Sequence, residues 1–181
     1  EIKTNAKVWP EDLYDQYDFI INCTYTNPGV GIGLRTKSEL AVMLLLKSDE
    51  EWRDQAITIM DGQFCSIYPA GEGLHTLSSV RHTPAIKCSS ADTLEKIEKT
   101  LDEQDWADIE SNIFEHASTL IDLSGLTVIG KYVTIKTKLE QDINDFRGTI
   151  VLSRDKVISV MSGKISCAFL AAKEILKVIG K

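Results

Sequence analysis

The sequence lacks the cysteine spacing of metal and redox motifs. Its four cysteines, at positions 23, 65, 88 and 167, are far apart, and none belongs to a Cys-x-x-Cys pair. Zinc ligation and dithiol redox chemistry normally use such close pairs. We therefore interpret the cysteines as buried thiols in a reducing compartment, and we expect a cytoplasmic protein without a metal site.

Long apolar runs and a surplus of basic residues are also missing. The longest apolar run, residues 40–46, has the length of a strand and not that of a membrane span. The formal net charge is -7, which argues against the dense basic patch of a nucleic-acid surface. The sequence thus predicts no membrane and no nucleic-acid partner.

The composition that remains is that of a globular protein. The chain has 181 residues, of which 43% are hydrophobic and 26% are charged. This length is sufficient for one substantial core. The balance of apolar and charged residues matches ordinary soluble domains.

An apolar segment near the N-terminus predicts a strand of the parallel type. Residues 18–24 read Asp-Phe-Ile-Ile-Asn-Cys-Thr, a short run that indicates a strand buried on both faces. Its last residues are polar, and open α/β sheets bind ligands at this end of their strands. The Gly-x-Gly-x-Gly of residues 29–33 precedes another strand pattern, so we interpret it as a connection and not as a nucleotide loop.

Residues 36–86 have the pattern of an antiparallel sheet with one buried face. Strands are predicted at 40–46, 55–60, 63–69 and 74–82. Asp61-Gly62 lies between the second and third of these strands, and this dipeptide is a strong hairpin signal.

Two helices, further strands and a C-terminal helix follow. Ser89 or Ser90 is suited to cap the first helix, and apolar residues at spacings of three and four predict the second across 106–120. Residues 125–139, 149–152 and 156–161 are predicted strands, with a tight turn at 153–156. The terminal helix is expected to bury Ile165, Phe169, Ala172, Leu176 and Ile179. The predicted class is α+β, an antiparallel sheet flanked by helices, with an early parallel-type strand and a C-terminal helix.

This order of elements resembles the C-terminal half of FAD-dependent oxidoreductases of the D-amino-acid-oxidase-like class. Three segments carry the resemblance: residues 18–24, residues 68–84 and residues 146–165. In that class, an antiparallel substrate domain interrupts a Rossmann-type FAD domain. The resemblance implies that residues 35–148 form the substrate domain, and that 1–34 and 149–181 are a remnant of the FAD-binding domain.

The sequence departs from this class in two places. A strand leading to Gly-x-Gly-x-x-Gly and an acidic residue is absent, and Tyr25 stands where the class often has glycine. The missing motif holds the FAD pyrophosphate. We therefore expect that the chain is a fragment beginning at Glu1, that the intact protein uses FAD, and that this chain alone binds it weakly or not at all.

The resemblance also implies candidate site residues. Thr24, Ser162, Gly163, Lys164 and Ile165 are expected near the flavin, where donors at a helix start stabilise charge on the reduced ring. Arg147, His82 and Tyr68 are candidates for substrate binding, with Arg147 as the anchor for an anion.

Each of these candidates has a structural alternative. Residues 162–164 also fit an ordinary turn with a solvated lysine, Arg147 fits a solvated loop, and Tyr68 fits a half-buried strand. His75 and His82 are an odd number of residues apart, so a regular strand would direct them to opposite faces. His116 is expected to be structural. Catalytic residues cannot be assigned from the sequence.

These observations favour a substrate-domain portion of an FAD-dependent oxidoreductase. The intact enzyme would oxidise a C–H next to an amine or hydroxyl of a small molecule, with the FAD domain supplied in cis or in trans. The isolated chain is expected to be inactive. Without an FAD domain, residues 19–21 and the terminal helix would expose apolar surface, which favours a homodimer. The alternative is a flavin-free binding or protein-interaction module that retains the substrate-domain fold.

Overall fold

The computed structural model describes residues 1–25, 27, 33, 35–60, 62–140, 148–162 and 164–180. They form two compact units, Glu1–Lys37 with Thr137–Lys181 (unit 1) and Ser38–Lys136 (unit 2). The strands and α-helices are β1 (Ile20–Asn22), β2 (Thr36–Ser48), β3 (Ile57–Thr58), β4 (Cys65–Gly71), β5 (Leu74–Ser79), β6 (Pro84–Cys88), α1 (Ala91–Glu98), α2 (Glu103–Ser118), β7 (Leu126–Leu139), β8 (Ile150–Arg154), β9 (Val157–Met161) and α3 (Ala168–Val178).

Unit 1 contains a three-stranded sheet in the order β1-β9-β8. β1 pairs parallel to β9, with Ile20 opposite Val157 and Asn22 opposite Ser159. β8 and β9 form an antiparallel hairpin closed by Asp155, whose φ is 53°. The prediction that β1 is buried on both faces is wrong, because Ile21 is 48% exposed while Ile20 and Asn22 are buried.

Helix α3 packs against β8 through a different face from the one predicted. Ala171 is buried and Cys167, Ile175 and Ile179 are partly buried, at intervals of four residues. Of the five residues predicted to be buried, only Ile179 is partly buried, and the other four are exposed, with Ile165 at 97% and Phe169 at 88%. Helix α3 is apolar on more than one face, so periodicity alone could not decide which face meets the sheet. We call Ile165, Phe169, Ala172 and Leu176 the outer stripe.

Unit 2 is built on the long strand β2. β5 pairs antiparallel with Leu44–Lys47 of β2, and β6 pairs with Ser38–Ala41. Residues 80–83 form an excursion between β5 and β6. β4 extends the sheet from β5, β3 pairs with β4, and β7 also pairs with β2. The sequence did not predict β6 as a separate strand.

The core of unit 2 lies between this sheet and α2. Leu44 and Leu77 are fully buried on the sheet, and Ile113 and Ala117 of α2 pack against them. The start of α1 is capped as the sequence predicts: Ser90 Oγ accepts a hydrogen bond from Thr93 N at 3.4 Å.

The predicted α+β class, with antiparallel strands and a C-terminal helix, is confirmed. Asp61 of the predicted hairpin lies outside the described residues, while Gly62 has a φ of 65°. Within the described part of the chain, no helix is both long and apolar enough to cross a membrane. The assignment of 1–34 with 149–181 and of 35–148 to an FAD-binding and a substrate domain stays a prediction.

Candidate functional site

Polar side chains gather at the carboxyl ends of β1 and β9 in unit 1. Because these strands are parallel, their carboxyl ends lie at the same edge of the sheet. Asn22 is 7% exposed and donates from Nδ2 to Ser159 Oγ at 3.2 Å. Its Oδ1 accepts hydrogen bonds from the N–H and the hydroxyl of Thr24, at 3.1 and 2.8 Å. The buried amide therefore fixes Thr24 just beyond the strand.

The residues before β8 and after β9 bring hydroxyl groups to the thiol of Cys167. Ser162 Oγ lies 3.5 Å from Thr149 Oγ1 and donates to Lys164 O at 3.2 Å. Hydrogen bonds from the Thr149 hydroxyl, and then from that of Ser162, lower the pKa of the Cys167 thiol below its usual value, with a smaller contribution from the charge of Lys164.

The start of the C-terminal helix differs in detail from the prediction. A 3₁₀ turn spans Ile165–Cys167, with Lys164 as its N-cap, and α3 begins only at Ala168. No side chain among the described residues caps either start. Lys164 and Ile165 are exposed, and Gly163 lies outside the described residues.

These groups fit one end of a flavin in their chemistry. The uncapped N–H groups of the 3₁₀ turn, the Ser162 hydroxyl and the Lys164 ammonium are donors, which a ring that gains negative charge requires. The sequence has no Gly-x-Gly-x-x-Gly motif for the pyrophosphate. The fit therefore covers the ring end of the cofactor and not its dinucleotide end.

The thiol environments predict an order of alkylation. Cys65 is fully buried, and burial raises the pKa of its thiol. The thiolate is the reacting form, so at neutral pH we expect iodoacetamide to modify Cys167 at least about ten times faster than Cys65. Thr149→Val removes the main cause of the lowered pKa and should move the midpoint of the Cys167 pH–rate profile upward, while leaving Cys65 unchanged. Peptide-resolved mass spectrometry measures both rates, and an unmoved midpoint would contradict the role of Thr149.

In unit 2, His82 lies on the excursion between β5 and β6. Ser79 and Thr83 hold this excursion together: Thr83 N donates to Ser79 O at 2.7 Å, and Ser79 N donates to Thr83 Oγ1 at 2.8 Å. His82 N donates to Ser79 Oγ at 3.2 Å. The His82 ring makes an edge contact with His116 of α2, with 5.6 Å between centroids. Desolvation, followed by the charges of Arg81 and His116, lowers the pKa of His82.

The excursion overturns the parity argument for the two strand histidines. His75 is fully buried on the face of β5 that meets α2. His82 contacts α2 as well, so both histidines lie on the same side of the sheet. The regular strand ends at Ser79, and the extra residues change the direction of the following side chains. His116 is hydrogen-bonded to Ser79 Oγ through Nδ1, at 2.9 Å.

Of the other two candidates for substrate binding, Tyr68 lies away from His82 and Arg147 is outside the described residues. Tyr68 pairs with Thr76, which alternates with the buried His75 and Leu77, so Tyr68 lies on the sheet face opposite α2. It is 49% exposed and its hydroxyl bonds to Thr58 Oγ1. The roles of all the candidates stay predictions.

Sequence reasoning missed several residues that shape these clusters. Asn22, Ser159, Thr149 and Cys167 organise the strand ends of unit 1, and Ser79 orients His116 in unit 2. The polar ending of β1 was a visible signal for Asn22. The others are joined to their partners across long sequence separations, for which the sequence offered no spacing pattern.

Comparison with known proteins adds one relative. No family model matches the sequence. The chain is 29% identical over 168 residues to the FAD-dependent monooxygenase FPY4 of Fusarium mangiferae, covering 90% of this chain and 44% of the relative. The chain thus spans less than half the length of that relative. It is similar to an FAD-dependent oxidoreductase, and its place in the D-amino-acid-oxidase-like class stays a prediction.

Proposed function

We propose that this chain is the substrate-domain portion of an FAD-dependent oxidoreductase. The observation that carries the proposal is the parallel pair β1–β9, which ends in a polar cluster beside the start of the C-terminal helical segment. Ligands of open sheets bind at such carboxyl ends. The similarity to an FAD-dependent monooxygenase over 90% of the chain supports flavin-dependent oxidation in general terms.

Each residue of the unit 1 cluster has a role in this proposal. Bound FAD would accept a hydride from a substrate carbon. Ser162 and the N–H groups that follow Lys164 would donate hydrogen bonds to the ring, and the Lys164 charge would stabilise negative charge there. Thr24, held by Asn22, would contact the cofactor from the end of β1. Gly163, which lies outside the described residues, is a cofactor-binding candidate through the resemblance alone.

The cofactor would be held mainly by another part of the protein. Without a Gly-x-Gly-x-x-Gly motif, this chain supplies no pyrophosphate site. A flavin-binding domain, in cis or in trans, would therefore be its partner. The exposed outer stripe, with Phe169 at 88% exposure, offers apolar surface for such a partner.

The substrate class rests on the D-amino-acid-oxidase-like resemblance. We propose a small molecule with a C–H next to an amine or hydroxyl, with Arg147 binding an anionic group and His82 and Tyr68 as further contacts. The relative is named as an FAD-dependent monooxygenase. Its similarity to this chain supports oxidative flavin chemistry in general and does not identify the substrate.

The test compares this chain with an extended protein. The coding sequence upstream of Glu1 is read first, and an in-frame Gly-x-Gly-x-x-Gly is expected. The extended protein should purify yellow, whereas the 181-residue chain titrated with FAD should show no ring-spectrum shift. Ser162→Ala should change the flavin spectrum of the extended protein, and Ser153→Ala, on the β8 side of the hairpin, should not.

Three outcomes would overturn the proposal. A 181-residue chain that is yellow and bleached by substrate would show that it needs no other domain. An extended protein without flavin, or a start codon directly before Glu1 without a copurifying flavoprotein, would favour the flavin-free binding or interaction module, in which residues 162–165 are only structural.

A further inference from the structure

We propose that His82 and His116 form a two-histidine site in unit 2 for a divalent transition-metal ion such as Zn²⁺. His82 and His116 are too far apart in the sequence to form a recognisable metal-ligand motif. The proposal does not depend on flavin binding, which concerns residues of unit 1.

The ring geometry is suited to a shared ion. The centroids are 5.6 Å apart and the ring planes are inclined by 64°. A Zn–N bond of about 2.1 Å places an ion roughly 3.2 Å from each centroid, so two imidazoles at a tetrahedral angle have centroids about 5 Å apart. The observed centroid separation is close to this value. Both rings are partly exposed, so an ion can enter from solvent.

Ser79 provides the outer hydrogen bond that orients a metal-binding histidine. Its hydroxyl lies 2.9 Å from His116 Nδ1, and it is fully buried. When Nδ1–H donates to this hydroxyl, Nε2 carries the lone pair that a metal needs. Thr83 fixes the backbone of Ser79, so the orienting group belongs to a rigid part of the excursion.

The excursion itself positions the second ligand. His82 N donates to the same Ser79 hydroxyl, at 3.2 Å, so one buried oxygen organises both histidines. β-bulges and similar interruptions commonly redirect a side chain towards a site. A regular continuation of β5 would not place His82 beside α2.

The coordination sphere would be completed by water. The described residues contain no group of three or more histidine, cysteine or acidic side chains arranged around one ion. Two imidazoles with open positions give a weaker site than a four-ligand structural zinc site. The neighbouring Arg81 guanidinium, which is exposed, opposes a cation and makes anion binding the competing outcome.

The test uses the imidazole NMR signals of the full chain during titration with ZnCl₂. The chain has three histidines, and the fully buried His75 serves as an internal control. We expect the signals of His82 and His116 to move together and to saturate, while that of His75 stays. Because the imidazole signals report zinc at the histidines themselves, they distinguish this site from zinc that binds the exposed thiol of Cys23.

Three variants separate ligands from a structural contact. His82→Asn and His116→Asn should each abolish the saturable response of the remaining imidazole. Ser79→Ala should weaken zinc binding by about 10-fold or more through loss of the orienting hydrogen bond, with an unchanged His75 signal as proof of folding. If Ser79→Ala does not fold, Ser79→Thr, which keeps the hydroxyl, should bind zinc within a few-fold of the original protein.

Several results would overturn the site. One is no response of the His82 and His116 imidazole signals to about 1 mM zinc, which would saturate even a weak site only in part, and another is a His116 response that survives His82→Asn. A response of both imidazoles to inorganic phosphate and not to zinc would replace the metal site with an anion site.

Discussion

Gly125→Ala is expected to lower the free energy of unfolding by about 3 kcal/mol. Gly125 has a φ of 79°, in the region that L-residues rarely adopt. A Cβ there would also collide with the carboxylate of Asp49. The cost of the backbone conformation cannot be relieved, and the collision is relieved only if the Asp49 carboxylate rotates away from its hydrogen bond with Glu51 N.

The collision matters because the contact between Asp49 and Gly125 joins the segment after β2 to the segment before β7. Asp49 N donates to Gly125 O at 3.2 Å, and Asp49 Oδ1 accepts from Glu51 N at 3.2 Å. The next residue along, Trp52, is 8% exposed and donates from Nε1 to Ser124 O at 2.9 Å. Displacing the Asp49 carboxylate therefore removes the side-chain cap of the 3₁₀ turn Glu50–Trp52, which carries this buried indole.

Thermal and urea unfolding followed by Trp fluorescence measure this effect, and we expect the midpoint temperature to fall by about 6–12 °C. Gly130→Ala is the matched control: Gly130 lies on β7 without a positive φ, and its Cβ would meet nothing within 4 Å. It should change stability by less than about 0.5 kcal/mol. Adding Asp49→Ala to Gly125→Ala should recover the part due to the collision and leave the cost of the backbone conformation. Equal stability of Gly125→Ala and Gly130→Ala would contradict the argument.

The regular elements of this fold are predictable because their signals are local. Helix α2 follows from apolar residues at spacings of three and four, with Asp102 as N-cap accepting from Asp105 N at 2.9 Å. Strand β2 follows from an apolar run, and the β8–β9 hairpin from a short polar turn. In each case, neighbouring residues carry the information.

What the sequence could not provide depends on residues far apart in the chain. The excursion at 80–83 is stabilised by Ser79, Thr83 and His116, which lies 37 residues after Ser79, so the local alternation pattern predicts too long a strand for β5. Gly125 meets Asp49, and nothing near Gly125 indicates that contact. In the candidate site, the polar residues at the end of β1 can be recognised in the sequence. The contacts of Thr149 with Ser162 and Cys167 cannot, because they form only when β8 and β9 pair as a hairpin.

The second large effect concerns the outer stripe of α3. We expect the isolated chain to self-associate through this surface, because Ile165 and Phe169 are 97% and 88% exposed and Leu176 is 46% exposed. Contiguous apolar side chains of this size are unusual on a monomer. Phe169→Asp should raise the dimer dissociation constant by about 30-fold, the effect of losing an aromatic hot spot of about 2 kcal/mol.

Sedimentation velocity over a range of concentrations measures the association. Lys177→Ala is the control, since it changes the net charge by the same amount on the same helix, and the exposed ion pair it loses with Glu174 contributes little. Because Phe169 is so exposed, its replacement should leave the unfolding midpoint within about 0.5 kcal/mol of the original. Wild-type protein that is monomeric at all concentrations, or a Phe169→Asp variant that still dimerises, would contradict the prediction.

Salt dependence separates apolar association from charge pairing. The chain carries a net charge of -7, so two copies repel each other, and added salt should strengthen a dimer held by the outer stripe. A dimer held by ion pairs would weaken instead. A flavin-binding domain that covers Phe169 would compete for the same surface, so adding that domain should dissociate the dimer, and Phe169→Asp should weaken both associations together.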